Sequence, residues 1–252
     1  MREPTMTYVT AQNIGPKTAQ WLTEIAPVNT HRMKLQVSKS ALLVIDMQRF
    51  FAAPAGKGYL PCTKAIMPNV RRLLRVFRKA RRPVIYTRHA HHPQMLDAGI
   101  MVRWWKENVV EGTPESEILA ELAPRASEKV VTKHRYSAFY DTDLQTVLRS
   151  LRIEDLVICG VMTNMCVEST ARDAYFRDYK TFLPADATGA PTEAMHRASL
   201  LNLAYGFSWV TTTAAIIRQV EGAPDAHSRG RSGQVLGRRD ASPNPGRCQG
   251  AA

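Results

Sequence analysis

Apolar positions along the chain follow two different periods. Unbroken apolar runs of four to six residues recur at 41–46 (ALLVID), 83–87 (PVIYT), 129–132 (KVVT), 155–160 (DLVICG), 180–185 (KTFLPA) and 207–212 (FSWVTT). Runs of this length, rich in Val, Ile and Leu, predict strands covered on both faces. Between them the spacing turns helical. Ile66, Val70, Leu73, Leu74 and Phe77 make one apolar face within 64–82. Further helices are predicted at 115–122 (after Thr113-Pro114), at 142–151 (capped by Asp141 or Thr142), at 164–178 and at 191–205. Strands alternating with helices imply right-handed βαβ units, a parallel sheet and helices on both sides. The fold class is therefore α/β and Rossmann-like, with one domain over residues 38–220.

The two ends read differently. Residues 1–37 are polar and interrupted by Pro4, Pro16 and Pro27, so they predict an N-terminal arm with a short helix around 17–25. Residues 221–252 are rich in Gly, Pro, Ser and Arg and poor in apolar side chains, which predicts a disordered basic tail.

Charge changes the picture only locally. The chain carries 34 Lys and Arg against 22 Asp and Glu, a net +12. Seven of the basic residues fall in RRLLRVFRKARR at 71–82. Such a run suits either the solvent side of an amphipathic helix or a nucleic-acid or anionic membrane surface. The apolar face on the same segment favours the first, so no nucleic-acid partner is expected. A non-catalytic nucleic-acid-binding or interaction protein stands as an alternative. Cys62, Cys159, Cys166 and Cys248 show no paired metal spacing. No signal peptide or membrane span is visible, so a cytoplasmic chain with reduced thiols is expected. Cys159 reads as inert packing, and Cys62 has no visible base.

Reacting groups of an open parallel sheet gather beyond the carboxyl ends of its strands. Asp46 closes the first predicted strand, Lys133 follows the third, and Cys166 follows the fourth and opens a helix. A helix start favours the thiolate. Together the three suggest Asp46 as general base, Lys133 as the cation beside it and Cys166 as nucleophile on a carbonyl carbon. Backbone N–H groups at the turn Val161-Met162 and at Cys166 would hold the oxyanion.

ALLVIDMQRFF (41–51), KHRYSAF (133–139) and GVMTNMCVESTARDA (160–174) resemble the three signatures of the isochorismatase-like cysteine hydrolases. The resemblance covers about residues 40–215. It implies a three-layer αβα sandwich on a six-stranded parallel sheet. It also implies a catalytic triad of Asp46, Lys133 and Cys166, a cis peptide at Val161-Met162 and assembly into a homo-oligomer (dimer or tetramer). Isochorismatases proper usually lack the cysteine, so Cys166 favours the amidohydrolase branch. The vinyl-ether hydrolase reading, using Asp46 and Lys133 alone, is the second alternative. The metal-binding nicotinamidase pattern is kept only at His91: His89 replaces its Asp, and Asn108 replaces its later His. No metal and no cofactor are therefore expected. Gln48, Phe51, Arg88, His91, Trp105, Tyr136 and Phe139 are candidate contacts for a small-molecule substrate. Arg172 and Asp173 read as a structural ion pair.

Overall fold

The computed structural model describes residues 7–222. The predicted basic tail lies almost wholly outside them. In chain order the elements are α1 (Ile14–Ile25), β1 (Ser40–Ile45), α2 (Arg49–Ala52), α3 (Thr63–Lys79), β2 (Val84–His89), α4 (Met101–Trp104) and β3 (Lys129–Lys133). They continue with α5 (Leu144–Ser150), β4 (Asp155–Val161), α6 (Glu168–Tyr175), β5 (Lys180–Pro184), β6 (Thr188–Gly189), α7 (Glu193–Gly206), β7 (Ser208–Thr211) and α8 (Thr213–Glu221).

All strand pairings are parallel, in the order β3-β2-β1-β4-β5-β7, with the two-residue β6 pairing β4. The sheet thus has seven strands, the predicted six plus β6. Every residue of β1 and β4 is buried, which is why both read as continuous apolar runs. The chain winds outward from β1 toward β3 and, after crossing back, from β4 toward β7. The direction reverses between β1 and β4, and a crevice opens there beyond the strand ends. Gly160 makes this junction possible. It has φ of 112°, and a Cβ on it would sit 2.1 Å from the Ile45 carbonyl oxygen.

Helix α3 buries Ile66, Val70, Leu73, Leu74 and Phe77 as its spacing predicts. Each such side chain contributes roughly 1.5–3 kcal/mol. The helix stops where Arg81 turns left-handed (φ 54°) and the Arg82 N–H bonds back to the Phe77 carbonyl at 2.8 Å.

Three expectations are revised, and one helix is added. The N-terminal segment is not a free arm, since Val9, Trp21, Ile25 and Leu35 are buried in the main core. The predicted helix 115–122 is instead two 3₁₀ turns, Pro114–Ser116 and Ala120–Leu122. Its backbone is drawn elsewhere, because Arg49 N–H bonds to the Glu117 carbonyl and Leu119 N–H to the Met47 carbonyl. Helix α8 was not anticipated; Thr212 caps it through Ala215 N–H. Arg172 and Asp173 do not pair: Arg172 bonds Glu168, while Asp173 takes Arg177 and the Ser137 hydroxyl.

Candidate active site

The three strand-end residues meet at the β1/β4 crevice. Lys133 Nζ lies 2.8 Å from Asp46 Oδ2, 3.3 Å from Cys166 Sγ and 3.1 Å from the Arg135 carbonyl oxygen. Two acceptors and the Asp46 counter-charge let an ammonium stay charged although fully buried. Burial alone would lower the Lys133 pKa; the adjoining Asp46 carboxylate is the first influence against it, and the net direction is upward. Asp46 follows β1 with φ of 47°, and its side chain is as buried as that of Lys133. Its Oδ1 accepts the Thr87 hydroxyl at 2.6 Å, and its N–H donates to the same hydroxyl oxygen at 3.1 Å. Thr87 is a site residue that the sequence reading missed. The available signal was strand alternation, which puts Thr87 and His89 on one face of β2.

Cys166 is not at a plain α-helix start. It is the fourth residue of a π-helical turn, Thr163–Val167, that leads into α6. The peptide before it, Val161–Met162, is cis. The Met162 carbonyl accepts from Met165 N–H at 3.0 Å and Val167 N–H at 3.2 Å. The expected bias toward thiolate is also revised. Burial pushes the thiol up to about 12, with Asp46 adding to the rise and Lys133 opposing it. Burial and the Asp46 charge thus favour the protonated sulfur, against the pull of Lys133.

The substrate-contact candidates divide. Gln48 is fully buried and committed to backbone: its amide N–H groups bond the His89 and Ser116 carbonyls, and its oxygen accepts His89 N–H. Arg88 points to the opposite face of the sheet from Thr87, bonding Thr132 at 2.9 Å and Glu111 at 3.4 Å. Phe139 is core, stacked on Tyr179 and beneath Arg177. These three side chains are engaged with partners outside the triad. Phe51 is half-buried, edge-on to Phe50. Trp105 donates its indole N–H to the Tyr136 hydroxyl at 2.9 Å, joining the loop after α4 to the one after β3. His91 is buried, edge-on to His89. The His89 imidazole is held neutral, its pKa lowered by burial first and then by Lys133.

A metal at this end of the sheet would need lone pairs. Among the described residues, His91, Asp97 and His134 bring ligand-type atoms within 4.8 Å of one another. The Asp97 carboxylate already accepts His92 N–H and faces His91 Nδ1 at 3.1 Å and His134 Nδ1 at 3.2 Å. His134 Nδ1 is also 2.6 Å from the Ala90 carbonyl oxygen, a separation that requires a proton on that nitrogen. The carboxylate and the two Nδ1 atoms form a hydrogen-bonded knot that would have to open to admit zinc, while His91 Nε2 and His89 Nδ1 are buried without a partner.

Comparison with known proteins agrees with this geometry. Residues 40–215 match the model of the isochorismatase domain. Nicotinamidase 3 of Arabidopsis thaliana is 37% identical over 186 residues, covering 73% of this chain and 89% of its own. Ureidoacrylate amidohydrolase RutB of Caulobacter segnis is 32% identical over 211 residues, covering 75% and 88%. The solved cysteine hydrolase from Pseudomonas syringae pv. phaseolicola 1448A superposes with a TM-score of 0.73 at 35% identity, over 76% of this chain and 96% of that one. The chain belongs to the isochorismatase family and is an amidohydrolase of that family, acting on carbon–nitrogen bonds.

Proposed function

We propose that the protein hydrolyses a non-peptide C–N bond of a small amide, ureide or carbamoyl compound through a thioester on Cys166. The observation that carries this reading is Lys133, poised between Asp46 at 2.8 Å and Cys166 at 3.3 Å. Because the resting thiol is neutral, substrate arrival must coincide with proton transfer from Sγ to Asp46. The sulfur then bonds to the carbonyl carbon, and the carbonyl π electrons move to oxygen. Backbone N–H groups of Met162 and Cys166 take that oxyanion. Its collapse expels the amine, which leaves with the proton from Asp46. Asp46 next takes a proton from water, the hydroxide attacks the thioester, and the acid departs as Sγ regains its proton. Lys133 pairs with the Asp46 carboxylate and stabilises the sulfur while it is negative.

Helix α2 with Phe51 and the loops that carry His91, Trp105 and Tyr136 would line the substrate side. The same reading carries assembly into a homo-oligomer, which light scattering on the purified chain measures. The function is tested by ammonia release over a panel of ureidoacrylate-like, carbamoyl, biuret-like and nicotinamide-like compounds. Turnover should vanish in Cys166→Ala. Wild-type turnover in that variant would remove Cys166 from the mechanism.

A further inference from the structure

We propose that His196 is a positioning residue for the nucleophile: its hydrogen bond to Thr163 holds the π-helical turn that sets Cys166 against Lys133. Thr163 opens the turn and Cys166 is its fourth residue. Thr163 Oγ1 lies 2.9 Å from His196 Nδ1, and both side chains are fully buried. The far end of the turn is fastened from the same helix. Ser199, one turn along α7 from His196, donates its hydroxyl to Glu168 Oε2 at 2.6 Å, and Glu168 is the first residue of α6. Helix α7 thus grips the segment that carries the sulfur at both of its ends. On the front, Lys133 meets Sγ at 3.3 Å.

The imidazole is itself braced. The Trp21 ring meets it edge-on, with centroids 4.6 Å apart. Trp21 is fixed by its own indole N–H to Glu193 Oε1 at 2.9 Å, and Lys17 pairs with the other carboxylate oxygen at 2.7 Å. A continuous path therefore runs from α1 through Trp21, His196 and Thr163 to the nucleophile turn. A π-helical turn has looser backbone bonding than an α-helix. A side-chain anchor three residues before the sulfur therefore has leverage on where the sulfur sits. A histidine that only filled the core would stabilise the fold and leave the chemistry of Sγ unchanged.

The inference rests on Cys166 as the nucleophile for its catalytic meaning, but its test needs no substrate. Iodoacetamide alkylation of Cys166 is followed by mass mapping at pH 9 in the full chain, with Cys159 as a buried internal reference. Thr163→Val should alkylate at least fivefold more slowly, because Sγ loses Lys133 and its thiolate fraction falls. Thr163→Ser, which keeps the hydroxyl, should stay within twofold of wild type. His196→Gln should be slow as well, and Thr163→Val combined with His196→Gln should be no slower than either alone. A folded Thr163→Val at or above the wild-type rate overturns the proposal, and so does additivity in the double variant. If His196→Gln fails to fold, the Val and Ser variants of Thr163 decide alone. Failure here leaves Cys166→Ala free to succeed in the turnover assay, so the two readings fail separately.

Discussion

Thr87 donates its hydroxyl to Asp46 Oδ1 at 2.6 Å, and the carboxylate is thereby rotated so that its other oxygen meets Lys133. A hydrogen bond to a charged group is worth about 1.5–3 kcal/mol, or roughly 10–100-fold in rate if the geometry matters only to the transition state. Thr87→Val should lower turnover by about that factor in the ammonia-release assay. Thr87→Ser should restore it to within about twofold. Equal turnover in the Val variant would show that Lys133 alone orients Asp46.

Asp46→Asn separates thiol acidity from catalysis. The Asp46 charge raises the Cys166 pKa and Lys133 lowers it. Removing the carboxylate takes away that opposition and leaves the thiolate as the counter-charge of the buried lysine, so the thiol becomes more acidic while the general base is lost. The variant should alkylate faster at pH 8 than wild type, yet turn over substrate at least about 100-fold more slowly. Slower alkylation would mean that Asp46 does not act on the sulfur electrostatically.

Acid should destabilise the fold through its buried imidazoles. Burial lowers His196 to about 3, against an unfolded value of about 6.5. Between those values the unfolded chain holds a proton that the folded chain excludes. This stability is complete above pH 6.5 and is lost as the pH falls toward 3, by about 1.4 kcal/mol per pH unit for a fully buried ring. His89 acts in the same direction. Urea denaturation at pH 7, 5.5 and 4.5 should show the loss, and His196→Gln should flatten it.

The Asp97 knot predicts how the protein answers chelators. Its carboxylate and both Nδ1 atoms are engaged in hydrogen bonds, so EDTA should leave the melting temperature unchanged and added zinc should not raise it. Asp97→Asn should lower the melting temperature, because a neutral amide cannot serve His91, His92 and His134 as the carboxylate does. A melting temperature that rises with zinc in wild type and not in Asp97→Asn would restore a metal to this site.

What the sequence reveals tracks how local the determining forces are. The strand runs of β1 and β4 and the apolar face of α3 are imposed by burial along one element, and these are legible. Asp46, Lys133 and Cys166 are legible because strand ends of a parallel sheet converge and their residue types fit one chemistry. Residues 115–122 mislead, because a helix of eight residues is marginal by itself and the backbone pairs instead with the loop after β1. Phe139 looks like a cleft aromatic until Tyr179, forty residues later, is seen stacked on it. Thr87 and the Thr163–His196 bond escape notice for the same reason. Each depends on a partner more than thirty residues away, which the pattern of one segment does not encode.

The neutral, buried sulfur has a further consequence for the life of the molecule. Peroxide reacts with thiolates, and a cysteine that idles as a thiol with 5% of its surface exposed presents little of the susceptible form. In the proposed mechanism the sulfur is armed only when an arriving substrate coincides with proton transfer to Asp46. An idle molecule should therefore keep its competence under oxidative conditions that would inactivate an enzyme resting with its sulfur ionised.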